Sequence, residues 1–495
     1  MSSTLIIGII VIYFAALFVV SWITGRDSSN ESFFVGKKES PWYLVAFGMI
    51  GASLSGVTFV SIPGAVGKLA DTNSCFSYMQ LASGYLLGYA VIALVLMPLY
   101  YRLNLTSIYS YLEQRFGFWS YKTGAFFFIL SRTIGASFRL FLAISVLQIF
   151  VFDALGVHFI VNALLTVLLI WAYTTRGGVR TLIYTDTFQT TFLVAALFMI
   201  IYSICQELGI GIGSLASTIA DSPYSRMVFT DPLEARFFPK QFFGGMFVAI
   251  AMTGLDQDLM QKNISCKNIG EAQKNMFTFS GIVFLVNLMF VSLGALLYIY
   301  ATQKGIALPE ISDHLFPTLA LSYFPPIASV MFLLGILSAT HASADAALTS
   351  LTTSFCVDFL NFQKRTDSSS PEQLRRTRYA VHIGFSLLLL LFILLFRYSL
   401  DSSVVSTLFK VANYTYGPLL GLYAFGLFVP HRQVRDRFVP IIGVLSPLLC
   451  YILGLYSVQW LGGYVFGNEM LILNGLLTFL GLWAISYPAN KKISA

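Results

Sequence analysis

Apolar stretches long enough to cross about 30 Å of hydrocarbon recur along the whole of this chain. They run Thr4 to Thr24, Trp42 to Val66, Cys75 to Tyr101, Phe126 to Phe150, His158 to Tyr173, Ile183 to Cys205, Gln241 to Asp256, Met276 to Tyr300, Phe324 to Asp358, Tyr379 to Phe396, Leu408 to Phe428, Val439 to Tyr456 and Phe466 to Tyr487. In lipid such segments must satisfy their own backbone polar groups, which favours helices. The expected fold is an all-α polytopic membrane protein of about thirteen transmembrane helices. Of 495 residues, 57% are hydrophobic and only 11% are charged, which excludes an ordinary soluble domain. The first span has no basic segment before it and no small-residue cleavage pattern after it, and is read as a retained helix. No soluble domain fits between the spans, so residues 1–495 form one transmembrane unit. Cys75, Cys205, Cys266, Cys356 and Cys450 show neither metal nor disulfide spacing and are read as packing residues.

The placement of charge sets an orientation. With the N-terminus outside, the inner loops hold Arg26, Lys37, Lys38, Arg102, Arg115, Lys122, Arg176, Arg180, Lys262, Lys267, Lys274, Lys364, Arg365, Arg375, Arg376, Arg378, Arg432, Arg435, Arg437, Lys491 and Lys492. The outer loops hold only Lys68, Arg226, Arg236, Lys240, Lys304 and Arg397. That asymmetry predicts N-terminus out and C-terminus in, in a bacterial inner membrane. The net charge of +7 then reflects topology, and nucleic acid is not needed as a partner. The lipid bilayer and a small-molecule solute are the expected partners, with no obligate protein partner evident.

Within the second stretch, Gly51-Ala52-Ser53-Leu54-Ser55-Gly56-Val57-Thr58 combines small residues, hydroxyls and helix-weakening glycine near mid-membrane. Helix breaks at that depth survive where they line a cavity or hold an ion or substrate. Arg132, Arg139 and Lys410 fall inside expected spans, and such charges usually face a water-filled path or a partner. Arg132 and Arg139, seven residues apart, share one helical face.

Several segments together resemble the sodium/solute symporter family: Gly51 to Pro63 (GASLSGVTFVSIP), Tyr173 to Gln189 (YTTRGGVRTLIYTDTFQ), Gln257 to Lys262 (QDLMQK), Ser338 to Thr353 (SATHASADAALTSLTT) and Gly417 to Phe428 (GPLLGLYAFGLF). The resemblance spans nearly the whole chain, with local similarity to bacterial sialic acid symporters. It implies a leucine-transporter-like fold with an inverted 5+5 repeat, residues 42–205 and 240–429, one extra N-terminal helix and two extra C-terminal helices. It also implies Na+ as the coupling ion. Carried over by position, sodium would meet the carbonyls of Gly51, Leu54 and Ala339 and the hydroxyl of Ser343. Ala342 stands where another hydroxyl is often found.

Asp345 lies beside the Ala342 face of a helix, and an aspartate in an apolar span needs a compensating cation. Two readings follow: a sodium ligand, or an ion-pair partner of Arg132, Arg139 or Lys410. Asp186 matches an aspartate that joins a second sodium site in some relatives, although Asp345 and Ala346 replace hydroxyls of that site. It reads either as part of sodium binding and release or as a salt bridge to Arg176 or Arg180.

For the solute, Ser55 and Thr58 share a face at the first break. The resemblance adds Phe76 as an aromatic lid, against simple packing, and Gln80 as a polar contact. Relatives hold a carboxylate with an arginine where this chain has Gly135. Arg132 and Arg139 flank that position, leaving an anionic solute open, with neutralisation of Asp345 or Asp186 as the alternative. Thr253-Gly254 and the Asn413 to Pro418 stretch read either as gates and hinges or as turn-of-helix packing, and His341 as structural.

The reading is therefore a sodium-coupled secondary symporter importing a small polar organic solute, such as a sugar, sialic acid or other organic anion. An ion or solute channel, or a sodium-independent facilitator on the same fold, is the alternative. No filter-like repeat favours a channel, and no nucleophile, metal set or phosphate loop favours an enzyme.

Overall fold

A computed structural model describes residues 3–25, 29–67, 74–175, 177–365, 370–398 and 404–489. Arg26, Lys68, Arg176, Lys491 and Lys492, used above to set orientation or pair Asp186, lie outside the described residues. The main helices are α1 (Ser3–Thr24), α2 (Trp42–Ser53), α3 (Gly56–Val66), α4 (Tyr78–Arg102), α5 (Phe118–Leu155), α6 (Phe159–Thr174), α7 (Gly178–Leu208) and α8 (Phe238–Ala249). They continue with α9 (Gln257–Ile264), α10 (Ile269–Gln303), α11 (Pro326–Phe359), α12 (Pro371–Phe396), α13 (Val404–Thr415), α14 (Gly417–Phe428), α15 (Val439–Trp460) and α16 (Met470–Ala484).

Among the described residues, eight helices are long and apolar enough to cross a membrane, and α2 with α3 makes a ninth if taken as one span. Sequence length criteria lead to about thirteen. The difference has a structural cause. α6 and α16 are apolar but shorter. The stretch from Gln241 to Asp256 ends in a wide π-type turn at Ile250–Gly254 before α9 begins, and Tyr416 interrupts the stretch from Leu408 to Phe428.

The break foreseen near Gly51 is present. α2 stops at Ser53, Leu54 takes φ −88° and ψ 82°, Ser55 is extended, and α3 resumes at Gly56 with the two axes bent by 58°. The second interruption is built differently. Asp256 is extended, and its side chain accepts the Asp258 N–H at 2.9 Å, capping α9.

The interior is a continuous apolar core threaded by polar helices. α11 is buried along nearly all of its second half and packs on α7, with α2 against both and α3 against α11. α4 packs along α8, while α15 and α16 lie outside the largely buried α14 with their outer apolar residues exposed, as a lipid-facing surface requires. A two-stranded antiparallel ladder, with Gln433 opposite Tyr487, ties the segment after α14 to the one after α16.

Candidate transport site

The first break is pressed between α7 and α11. The Gly51 N–H donates to Thr190 Oγ1 at 3.0 Å. A methyl group on Gly51 would meet that hydroxyl on one side and Ala342 on the other, and one on Gly56 would strike Thr340. Glycine is thus required by close approach at both ends of the break. The packing brings Gly51, in the last turn of α2, against Ala342 of α11, the helix that also carries Ala339 and Ser343. A helix that stops leaves its last carbonyls without partners one turn ahead. The Ser343 hydroxyl has only a long 3.5 Å contact to the Thr340 carbonyl, and Thr340 Oγ1 is buried without a partner among the described residues.

One turn away, α7, α9 and α11 bring three charges together. Lys262 Nζ donates to Asp186 Oδ2 at 2.6 Å, with both side chains buried. The sequence reading placed Lys262 in an inner loop and weighed Arg176 or Arg180 for Asp186. Lys262 lies instead in α9, 2% exposed, as the aspartate's partner. Asp345 is fully buried; Tyr173 donates to its Oδ2 at 3.0 Å and Gln189 Nε2 at 3.5 Å, while the Ala346 N–H reaches Oδ1 at 2.6 Å. It forms no ion pair among the described residues. The pairings with Arg132, Arg139 or Lys410 weighed from sequence are absent: Arg132 is bound to Asp258, and Lys410 is exposed. His341, as expected of a structural histidine, places Nδ1 2.7 Å from the Leu337 carbonyl and packs edge-on against Phe14.

Both breaks open onto one central cavity. Ser55 and Thr58 line it from the first break, Thr253 from the second, and Arg132 and Arg139 from α5. Tyr85 and Tyr89 of α4 form an aromatic wall. A second cavity shares Ile62, Tyr78 and Phe409 with the first and continues to Asn468. Of the residues expected at the solute, Ser55, Thr58, Arg132 and Arg139 are thus brought together. Phe76 and Gln80 are not among the lining residues. Gln80 gives Nε2 to the Arg236 carbonyl at 2.9 Å and accepts the Phe229 N–H at 3.2 Å, and the Phe76 N–H donates to the Arg226 carbonyl at 3.0 Å. These contacts tie the segment from 226 to 236 onto the start of α4.

Sequence reasoning missed Asn287 of α10, a buried cavity residue whose Oδ1 and Nδ2 both lack hydrogen-bond partners among the described residues. An asparagine inside a 35-residue apolar helix was the available signal. It also missed Asp258 as the partner of Arg132, and the hydroxyl of Tyr416 as a donor to Asp256.

A many-helix membrane protein, with two interrupted helices meeting at a buried cavity and oxygen-rich backbone beside a lone carboxylate, has the construction of a secondary transporter. The sequence model of the sodium:solute symporter family matches residues 33–433, and the chain belongs to that family, with sodium as its coupling ion. It is 24% identical over 475 residues to a sodium/sialic acid symporter of Aliivibrio fischeri, covering 94% of this chain and 91% of that protein. It is 25% identical to the human sodium-coupled monocarboxylate transporter 1, covering 86% of this chain and 68% of the relative. Among solved structures, a Na+-coupled sialic acid symporter in a substrate-bound outward-open state superposes with a TM-score of 0.78 at 22% identity, covering 96% of each chain. Mhp1, a nucleobase-cation-symport-1 family transporter, superposes with a TM-score of 0.56 at 13% identity. These likenesses establish the leucine-transporter-like fold.

Proposed function

We propose that sodium binds where the first break meets α11 and that the solute binds in the adjoining central cavity, both being carried inward by alternating access. The carbonyls of Gly51, Leu54 and Ala339 and the hydroxyl of Ser343 supply neutral oxygens for the ion. Asp345 supplies the charge, and Asp186 contributes through Oδ1, which has no hydrogen-bond partner among the described residues, while Lys262 answers Oδ2. The sum over Asp186, Lys262 and Asp345 is one negative charge, and a buried carboxylate of that kind calls for one monovalent cation. Ser55, Thr58 and Arg139 face the solute, with Arg132 lining the same cavity while bound to Asp258; Gln80 and Phe76 act at the outer edge by fixing the 226 to 236 segment.

In this reading, α2 with α3, α8 with α9, and α13 with α14 each count as one span, and α6 and α16 cross the bilayer despite their length. That makes thirteen spans, with the inverted repeats at 42–205 and 240–429, the N-terminus outside and the C-terminus in the cytoplasm of a bacterial cell. The solute is a small polar organic molecule, in the class of sugars, sialic acid or other organic anions.

The observation that carries the proposal is a helix break packed by close glycine contacts against the helix bearing the unpaired Asp345. The test is Asp345→Asn, which keeps shape and removes charge. It is expected to raise the sodium concentration for half-maximal stimulation of binding or uptake by at least about tenfold. A well-folded Asn variant with unchanged sodium activation removes Asp345 from the site. Equal activity of the parent in sodium and potassium, at one membrane potential, removes sodium coupling altogether.

A further inference from the structure

Three side chains in the central cavity, Arg132, Arg139 and Asn287, carry hydrogen-bonding groups left unanswered among the described residues, and for Arg139 and Asn287 no group is answered at all. Arg139 is 7% exposed, lines the cavity and makes no hydrogen bond or ion pair among the described residues. Its neighbours are already committed. Arg132, on the same face of α5, gives its guanidinium to Asp258. Asp256, the other carboxylate nearby, accepts the Tyr416 hydroxyl and the Asp258 N–H. The two arginines and two aspartates cancel in sum, so Arg139 is distinguished by unmade hydrogen bonds rather than by excess charge. A guanidinium offers five donors in a fixed fork, which two carboxylate oxygens match bidentately.

Asn287 reaches the same cavity from α10. It is 1% exposed, and neither its carbonyl oxygen nor its amide nitrogen has a partner among the described residues. A buried amide left this way loses hydrogen bonds on both its donor and its acceptor side unless a ligand supplies them. The wall near them is aromatic, formed by Tyr85 and Tyr89.

We infer that the solute is an organic monoanion whose carboxylate is gripped by Arg139 and whose uncharged hydrogen-bonding group is read by Asn287. The inference rests on the sodium-symport reading, because a sodium ion travelling with a monoanion leaves the loaded transporter without added charge. It separates the two cavity arginines by role: Arg139 meets solute, and Arg132 positions the second break through Asp258.

The test uses the full chain purified in detergent. Thermal unfolding is followed in sodium and in potassium with lactate, gluconate and N-acetylneuraminate, each beside an uncharged counterpart: lactamide, glucose and N-acetylmannosamine. At least one acid is expected to raise the unfolding temperature in sodium while its counterpart does not. Arg139→Gln should weaken that acid by roughly ten- to a hundredfold, and Arg139→Lys nearly as much, because an ammonium cannot present the fork. Asn287→Leu should weaken the acid by about tenfold while preserving its preference over the uncharged counterpart. The proposal is overturned if no acid binds, if a neutral counterpart binds as well as its acid, or if the folded Arg139 variants bind the acid like the parent. Unchanged affinity in Asn287→Leu overturns the role of Asn287. Should Arg139→Gln fail to fold, Arg139→Lys and Asn287→Leu decide. Failure of the symport reading looks different: acids then stabilise the parent equally in sodium and potassium.

Discussion

The two interrupted helices meet at one cavity but leave their backbones in opposite conditions. Around the first break the neighbours are small or hydroxylic: Thr190 holds the Gly51 N–H, Ala342 touches Gly51, and Thr340 abuts Gly56 with its hydroxyl unpartnered. Around the second, the freed groups are tied down. The Gly254 carbonyl accepts Tyr100 at 2.8 Å, the Leu255 carbonyl accepts Tyr109 at 2.9 Å, and Gln257 bonds both the Ile108 N–H and the Thr106 carbonyl. Asp256 and Asp258 add Tyr416 and Arg132. In the proposed reading, one break offers its oxygens to a visiting cation; the other commits them to the protein. An irregular segment at membrane depth can therefore serve as a ligand or as a joint, and its neighbours decide which.

The largest effect expected from breaking this contrast is at the charged tie. Asp258→Asn leaves Arg132 buried without its carboxylate and should lower stability by about 3–5 kcal/mol, measured as denaturant or thermal unfolding in detergent. The double variant Arg132→Met with Asp258→Leu should recover most of that loss, since two apolar groups replace a buried pair. A stable Asp258→Asn protein would mean that the second break holds without its ion pair. Tyr100→Phe removes the hydroxyl from the Gly254 carbonyl and should cost about 1–3 kcal/mol in the same assay, with little change in sodium dependence. The smallest effect falls at the open break. Ser343→Ala should raise the sodium concentration for half-maximal activation by roughly two- to tenfold while leaving unfolding in potassium unchanged. Lost stability without a change in sodium activation would move Ser343 from ion binding to packing.

Much of this contrast was legible locally. Gly51, Ser53, Ser55 and Gly56 lie within six residues and announce the first break through backbone preference alone, and the spacing of Arg132 and Arg139 correctly put both on the cavity face. The partners were not legible. Asp186 meets Lys262 across 76 residues and Arg132 meets Asp258 across 126, and nothing in local periodicity encodes which helix folds back on which. Lys262 and Asp258 were visible in the QDLMQK segment. That run resembles a polar loop as much as a short buried helix, because charges that cancel in pairs read as hydrophilic until the pairing is known. Gln80 failed in a different way. Its need for partners was sound, but the carbonyl of Arg236 and the N–H of Phe229 in the outer segment met it.

The pairing of Lys262 with Asp186, and of Arg132 with Asp258, also bears on how the protein responds to voltage. A single charge displaced through the full membrane field does work of about 2.3 kcal/mol per 100 mV. Two opposite charges held in contact and displaced together do almost none. α5, α7 and α9 can therefore carry four ionised side chains through a rearrangement without paying electrical work for them. The resting potential is left to act only on the net charge that ion and solute carry together.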